Sequence, residues 1–205
     1  KYANYKIKCL DPNLLIDAIL PPDNIVGSVV YPACEIVKPG TIKHIAGNRF
    51  SLGEPEGSES DRLKFISDIL KTAGFRAPIQ KNIRDEIWLK LIGNLSFNPI
   101  SALTGATLEQ ICNDQGTEAI VRAMMTEAKI IAEELGAKIN MSIEKRIEGA
   151  RKVGAHKTSM LQDIEAGKPI EIDSIIIAVK ELGELTCSPT PYIDTILNLT
   201  LQKAF

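Results

Sequence analysis

The chain has 205 residues, with 24 Lys and Arg against 26 Asp and Glu and a formal net charge of −2. That balance supplies no basic field for nucleic acid, and 44% apolar residues suits a folded chain and not a disordered one. The longest apolar runs, such as IIIAV at 175–179, fall far short of the roughly 20 residues that span a bilayer.

The length allows a sizeable core and one or two domains. Cys9, Cys34, Cys112 and Cys187 are far apart, and no CxxC or other metal-ligand spacing occurs. With only His44 and His156 beside them, no metal site is expected. Reduced thiols in a cytoplasmic setting are the default. The chain opens on Lys, with no basic-then-apolar leader, and is read as starting partway into a longer protein.

In chain order, NIVGSVVYPACEIV at 24–37 is rich in Val and Ile and reads as strand. The turn signal KPGT follows at 38–41. Thr41–Ala46 and Arg49–Leu52 then alternate, joined by Gly47-Asn48. Three antiparallel strands result, with edges that call for a larger sheet or for dimerisation. Residues 58–74 predict a helix, capped by Ser58 or Ser60 and ended by Gly74, with Leu63, Ile66, Ile69 and Leu70 as its stripe. FRAPIQ is a further short strand, kept to an edge by Pro78.

After Ile83 the pattern is helical: 83–98, about 107–112, 117–135, 142–153, about 156–166, 170–186 and 189–204. Pro169 and Pro189 suit first helical turns. A boundary near residue 82 therefore separates an α/β portion, 1–82, from an all-helical domain, 83–205. The fold class is α+β and mostly α.

The helix DEIWLKLIGNLSFNPIS is apolar nearly all round, so it should be buried on most sides. Lys90, Asn94 and Asn98 stand at i, i+4 and i+8 and share one face. Ile83 and Ile87 precede them there, so the triplet is a polar patch in an apolar surface. A buried ammonium has a depressed pKa and suits proton transfer. Two carboxamides beside it can donate and accept. The plainer alternative has Lys90 snorkelling to water and the amides capping backbone. Pro99 should kink or end the helix and turn Asn98 toward a cleft.

A second cluster is GAHKTSMLQDIEAGKPIEID at 154–173. Ser159 can donate to a carboxylate, and Glu171 falls in a first helical turn. Taken by themselves, a helix cap or surface position for Ser159 and the helix dipole for Glu171 are the preferred explanations. His44 reads as a strand-surface residue and His156 as a residue near a helix start. EKRIEGARK at 144–152 reads as a solvated helix face, and Met124-Met125 as core filling. No G-x-G-x-x-G, Walker loop, G-x-S-x-G or H-E-x-x-H occurs.

EIWLKLIGNLSFNPISALTGATL, with its K-x3-N-x3-N-P core, resembles the signature of the ketopantoate reductase (2-dehydropantoate 2-reductase) family. HKTSMLQDIEAGKPIEID is similar to that family's second signature, including the step from Ser159 to Glu171. VVYPACEIVKPGTIKHI and FSLGEP resemble the closing strands of its cofactor domain. The resemblance implies the end of a Rossmann-type NADPH domain followed by a helical domain of the 6-phosphogluconate dehydrogenase C-terminal type. It implies NADPH-dependent reduction of 2-dehydropantoate to (R)-pantoate, on the way to pantothenate and coenzyme A. It makes Lys90 the general acid and Asn94 and Asn98 ligands of substrate hydroxyl and carboxylate groups. Ser159 would hold the carboxylate, with Met160, Leu161 and Gln162 close by. Glu171 would contact the cofactor side and order Lys90. Beside the resemblance, the unprotected strand edges and broad apolar helices favour a homodimer, and the charge balance and short apolar runs leave no nucleic-acid or membrane partner expected. The family's Gly-rich loop and asparagine-containing turn have no counterpart here, and KYANYKIKCLDP matches the family poorly. Two other readings stand beside it: a related reductase of another small 2-oxo acid, or an inactive truncated module for dimerisation or ligand binding.

Overall fold

The computed structural model describes residue 2 and residues 5–204. Two compact units divide the chain: Asp17–Ile87, and Trp88–Phe205 together with Lys1–Ile16. The sequence boundary near residue 82 stands beside this division. The short helix α1 (Leu15–Ile19) starts at Asp11, whose carboxylate accepts from the amides of Leu15 and Ile16 at 2.8 and 3.0 Å. A 3₁₀ turn at Pro22–Asn24 follows.

The unit Asp17–Ile87 is built on a β-ribbon. Strands β1 (Gly27–Val30), β2 (Ala33–Lys38), β3 (Thr41–Ala46) and β4 (Phe50–Gly53) form two antiparallel pairs, β1 with β4 and β2 with β3. The pairs nest: Gly27 faces Gly53, Val30 faces Phe50, Ala33 faces Ala46 and Lys38 faces Thr41. The result is one long hairpin, interrupted where Tyr31-Pro32 stands opposite Gly47-Asn48. The expected three strands are thus four, and Gly47-Asn48 is not a hairpin turn. Pro32 has no N–H to give the ladder, so the ribbon breaks there. The true turn is Pro39-Gly40, where Gly40 has φ +77, the sign a type II turn requires. At the break, a Cβ on Gly47 would stand 2.9 Å from the Tyr31 carbonyl oxygen.

Helix α2 (Asp61–Thr72) begins where Ser60 Oγ accepts from Leu63 N, and Gly74 follows its end at φ +89, as the sequence indicated. Leu63 and Ser67 are buried; Ile69, expected in the stripe, is exposed. Leu63 joins Leu52 and Ala77 in a small core edged by Val26, Ile66, Leu70 and Ile79. The FRAPIQ segment lies parallel to β4 through bridges Arg49–Arg76 and Leu52–Ile79.

The helical unit centres on α5. After α3 (Ile83–Thr104), whose residues from Trp88 onward belong here, come α4 (Leu108–Asn113), α5 (Gln115–Glu134), α6 (Ile143–Val153), α7 (Ser159–Glu165), α8 (Ala178–Thr186) and α9 (Pro191–Ala204). Helix α5 packs against α4, α6, α8 and α9. Val121, Met124, Met125, Ala128, Ile131 and Ala132 supply its fully buried face. Glu127, also on that face, accepts from the amides of Tyr192 and Ile193 at 2.9 and 3.0 Å and so caps α9. In the same unit, Glu181 on α8 accepts from Tyr5 Oη and from the amides of Lys8 and Cys9.

Three helix expectations are corrected. Helix α3 runs through Pro99 to Thr104 and ends at Gly105, φ +73. Phe97, Ile100 and Ala102 are buried on both sides of the proline, and their packing outweighs the lost backbone bond. Pro169 and Pro189 lie in loops rather than first turns. Before α8, Asp173–Ile177 forms a π turn, so Glu171 precedes the helical stretch. The wider turn lets consecutive Ile175 and Ile176 both face the core. The four cysteines are free thiols.

Candidate active site

Helix α3 presents the polar triplet. Trp88, Ile92 and Leu95 anchor its other faces in the main core. Lys90 and Asn94 are half-buried, and Asn98 is buried at 5% exposure. Burial holds the Lys90 ammonium below the ordinary lysine range, and the Glu171 carboxylate pulls against that shift. Sequence alone put Glu171 among 26 acids; the fold brings this one within electrostatic reach of the lysine.

Helix α7 supplies the facing edge. Gly154 ends α6 at φ +82, and the loop leads to Thr158, which is buried and caps α7 through Oγ1. Ser159 is exposed, and its Oγ lies 3.5 Å from Asn98 Nδ2. Met160 and Leu161 point into the core at 2% and 4% exposure, and Leu161 N donates to Thr158 Oγ1 at 3.4 Å. Gln162 is exposed and donates from Nε2 to the Lys157 carbonyl at 2.8 Å. Glu171 is exposed, just before the π turn, and its carbonyl accepts from Ile175 N.

One neighbour escaped the sequence reading. Arg146 was grouped with a solvated face, and Arg151 and Arg122 do pair with Glu148 and Glu144 there. Arg146 instead lies on α3 at Gly93. A Cβ on residue 93 would stand 2.0 Å from Arg146 Nη2. A glycine inside an apolar helix was the available signal of such an approach.

An ammonium kept partly from water, two carboxamides, a hydroxyl and a carboxylate are groups chemically able to hydrogen-bond a small oxygen-rich anion and to pass a proton to one of its oxygens. Among the described residues no group of three or more His, Cys, Asp or Glu is placed to hold a metal ion. No helix there is long and apolar enough to cross a membrane.

The ketopantoate reductase PanE/ApbA C-terminal family matches residues 82–204. A 2-dehydropantoate 2-reductase of Mesorhizobium japonicum is 51% identical over 199 residues, covering 97% of this chain and 61% of the relative. A solved chain from Ralstonia solanacearum MolK2, provisionally described as a ketopantoate reductase, is 40% identical with a TM-score of 0.95, over 100% of this chain and 62% of that one. The 2-dehydropantoate 2-reductase structure from Methylococcus capsulatus is 30% identical with a TM-score of 0.85, over 95% and 64%. The helical unit thus has the architecture of the C-terminal domain of an oxidoreductase. The chain belongs to the ketopantoate reductase family. It spans about three fifths of the length of the relatives it matches.

Proposed function

We propose that this chain supplies the substrate-binding and proton-donating part of an NADPH-dependent reductase that converts 2-dehydropantoate to (R)-pantoate. The observation that carries this reading is the half-buried Lys90, its pKa lowered by burial, on the α3 face with Asn94 and Asn98 and within reach of Glu171. Asn94 and Asn98 hold the substrate's hydroxyl and carboxylate oxygens, and Ser159 donates to the carboxylate. Lys90 Nζ gives its proton to the ketone oxygen, which becomes the product hydroxyl, and is reprotonated from water. Its depressed pKa makes that transfer easier than from an ordinary lysine. Glu171 keeps Lys90 charged in the resting site.

The donor set bears on which part of a nicotinamide cofactor these residues fit. Glu171 is an anion, so it suits an uncharged ribose or carboxamide group and not a phosphate. When bound, the cofactor supplies the hydride that reaches the ketone carbon. Positioning the acid and its oxygen opposite that carbon is the work of α3 and α7.

The test is 2-dehydropantoate-dependent NADPH oxidation by the natural protein that carries this chain, with Lys90→Met beside it. A fall in kcat of about 10²–10⁴ with little change in KM is expected of a general acid. Unchanged turnover would remove Lys90 from that role. The reading places the enzyme in the cytoplasm. A homodimer is part of it too, favoured by the exposed cross-strand pair Ile36 and Ile42, at 76% and 70%. Light scattering of the chain and of Ile36→Lys tests the dimer, and a monomeric parent protein refutes it.

A further inference from the structure

The two edges of the candidate site are tied by hydrogen bonds that return to their starting point. Asn98 and Ser101 lie about one turn apart on α3. The Ser101 hydroxyl is fully buried and donates to the Ala106 carbonyl at 2.6 Å. Ala106 N in turn donates to Thr104 Oγ1 at 3.2 Å. The next residue, Thr107, caps α4 in a reciprocal box with Gln110. This fixes the first amides of α4, which have no partner inside their own helix. They reach out instead. Leu108 N donates to the His156 carbonyl at 2.9 Å and Glu109 N to the Gly154 carbonyl at 3.2 Å. Residues 154–156 begin the loop that ends at the buried Thr158, next to the exposed Ser159. Ser159 Oγ then lies 3.5 Å from Asn98 Nδ2, which closes the circuit.

We propose that this circuit sets the spacing between Asn98 and Ser159, and that Ser101 and the α4 amides are its positioning elements. The inference rests on the functional reading above and deepens it by assigning what fixes the acid-binding edge. Residues 154–158 have no regular structure of their own, so the bonds to α4 locate them. Two groups that must grip one small anion together lose affinity when their separation drifts by about an ångström. The proton donor Lys90 stands outside the circuit and keeps its setting when the circuit is cut.

Two substitutions in this chain cut it at different points. Ser101→Ala removes the buried donor. Leu108→Pro removes the amide that holds His156. Leu108 is the first residue of α4, and Thr107 before it is extended, φ −75 and ψ 166, so proline fits there without breaking the helix. Amide exchange at Glu109 and His156 is followed by NMR, with Val121 in α5 as control. Binding of 2-dehydropantoate is measured by calorimetry, and the Lys90 ammonium is titrated by NMR. Each variant is expected to speed exchange at the two amides and not at Val121. Each should weaken 2-dehydropantoate binding about tenfold and leave the Lys90 titration unmoved. Faster exchange with unchanged affinity overturns the proposal, as does unchanged exchange. A Lys90 titration that moves with either variant also overturns it, because the circuit would then act on the whole site. If Ser101→Ala does not fold, Leu108→Pro decides alone. If the parent chain binds no 2-dehydropantoate at millimolar concentration, the functional reading falls and takes the proposal with it. If the parent binds and both variants bind equally well, the proposal alone falls.

Discussion

Replacing Lys90 by Met should make the chain more stable as it destroys the proposed chemistry. The two side chains are similar in length, and Lys90 is half-buried on a helix that is largely apolar. Burial holds its pKa below the ordinary 10.5, against the pull of Glu171. The folded state therefore carries the ammonium at a disadvantage relative to the unfolded chain. Exchanging a fully buried charge for an apolar group of like volume gains about 1–4 kcal/mol. Half-burial, and an exposed Glu171 that water can resolvate, put this case near about 1 kcal/mol. For a chain of this size that raises Tm by about 2–4 °C. The sign with pH is also fixed. Between the folded pKa and 10.5 the unfolded chain binds more protons, so the parent protein gains stability as pH rises through that window. The variant lacks this gain, and its advantage should be largest at neutral pH and shrink toward 10.5. Thermal melts followed by circular dichroism at several pH values measure both effects. A variant less stable at neutral pH, or an advantage that grows with pH, would show that the folded state favours the ammonium. Lys90 would then be a structural ion-pair partner and not a destabilised acid.

Glu54 is fully buried and accepts from Arg62 Nε and Nη2 and from Ser60, and the Arg62 guanidinium holds its carboxyl down to about 2. Its contribution is present above 4.5 and is lost as pH falls toward about 2, so Glu54→Gln should be less stable at neutral pH and show a flatter acid limb in urea titrations; an unchanged limb counts against this pair. Gly93→Ala should cost about 1–3 kcal/mol, because its Cβ meets the Arg146 guanidinium, and adding Arg146→Ala should recover part of it. A Gly93→Ala protein with the parental Tm would mean that Arg146 moves aside freely. Ser159→Ala, at an exposed position, should leave Tm nearly unchanged and weaken 2-dehydropantoate binding about tenfold; undiminished affinity in calorimetry would remove Ser159 from the anion site.

What the sequence disclosed was mostly local. Ser60, Asp114 and Ser142 cap helices through bonds three residues long, and two of these starts were legible from residue type and spacing. The α3 triplet was legible because three polar residues at helical spacing interrupt an apolar surface. What escaped depends on contacts far apart in the chain. Pro99 breaks a local rule, and only the burial of its neighbours explains why α3 continues. Gly47-Asn48 has the composition of a hairpin turn, yet pairing between β2 and β3 overrides it. Ser101 reads as any helical serine until Ala106 is placed 2.6 Å from it. The link from Glu171 to Lys90 crosses 81 positions, and no spacing rule reaches that far.

The ribbon has an implication for how the protein tolerates change. Its inner half is locked: a Cβ on Gly53 would stand 2.7 Å from Ile83, and Gly27 is scarcely freer. Beyond Pro32 the strands have no such neighbour, and from Cys34 to Lys38 and from Ile42 to Ala46 every residue is exposed. Residues in a ladder are removed without turning the faces over only in matched steps that keep the period of two. The outer arm can therefore lengthen or shorten by paired steps around Pro39-Gly40 while the strands at Gly27 and Gly53 stay unaltered. That tip is the natural place to graft a fluorophore or an epitope, at the greatest number of residues from the locked glycines.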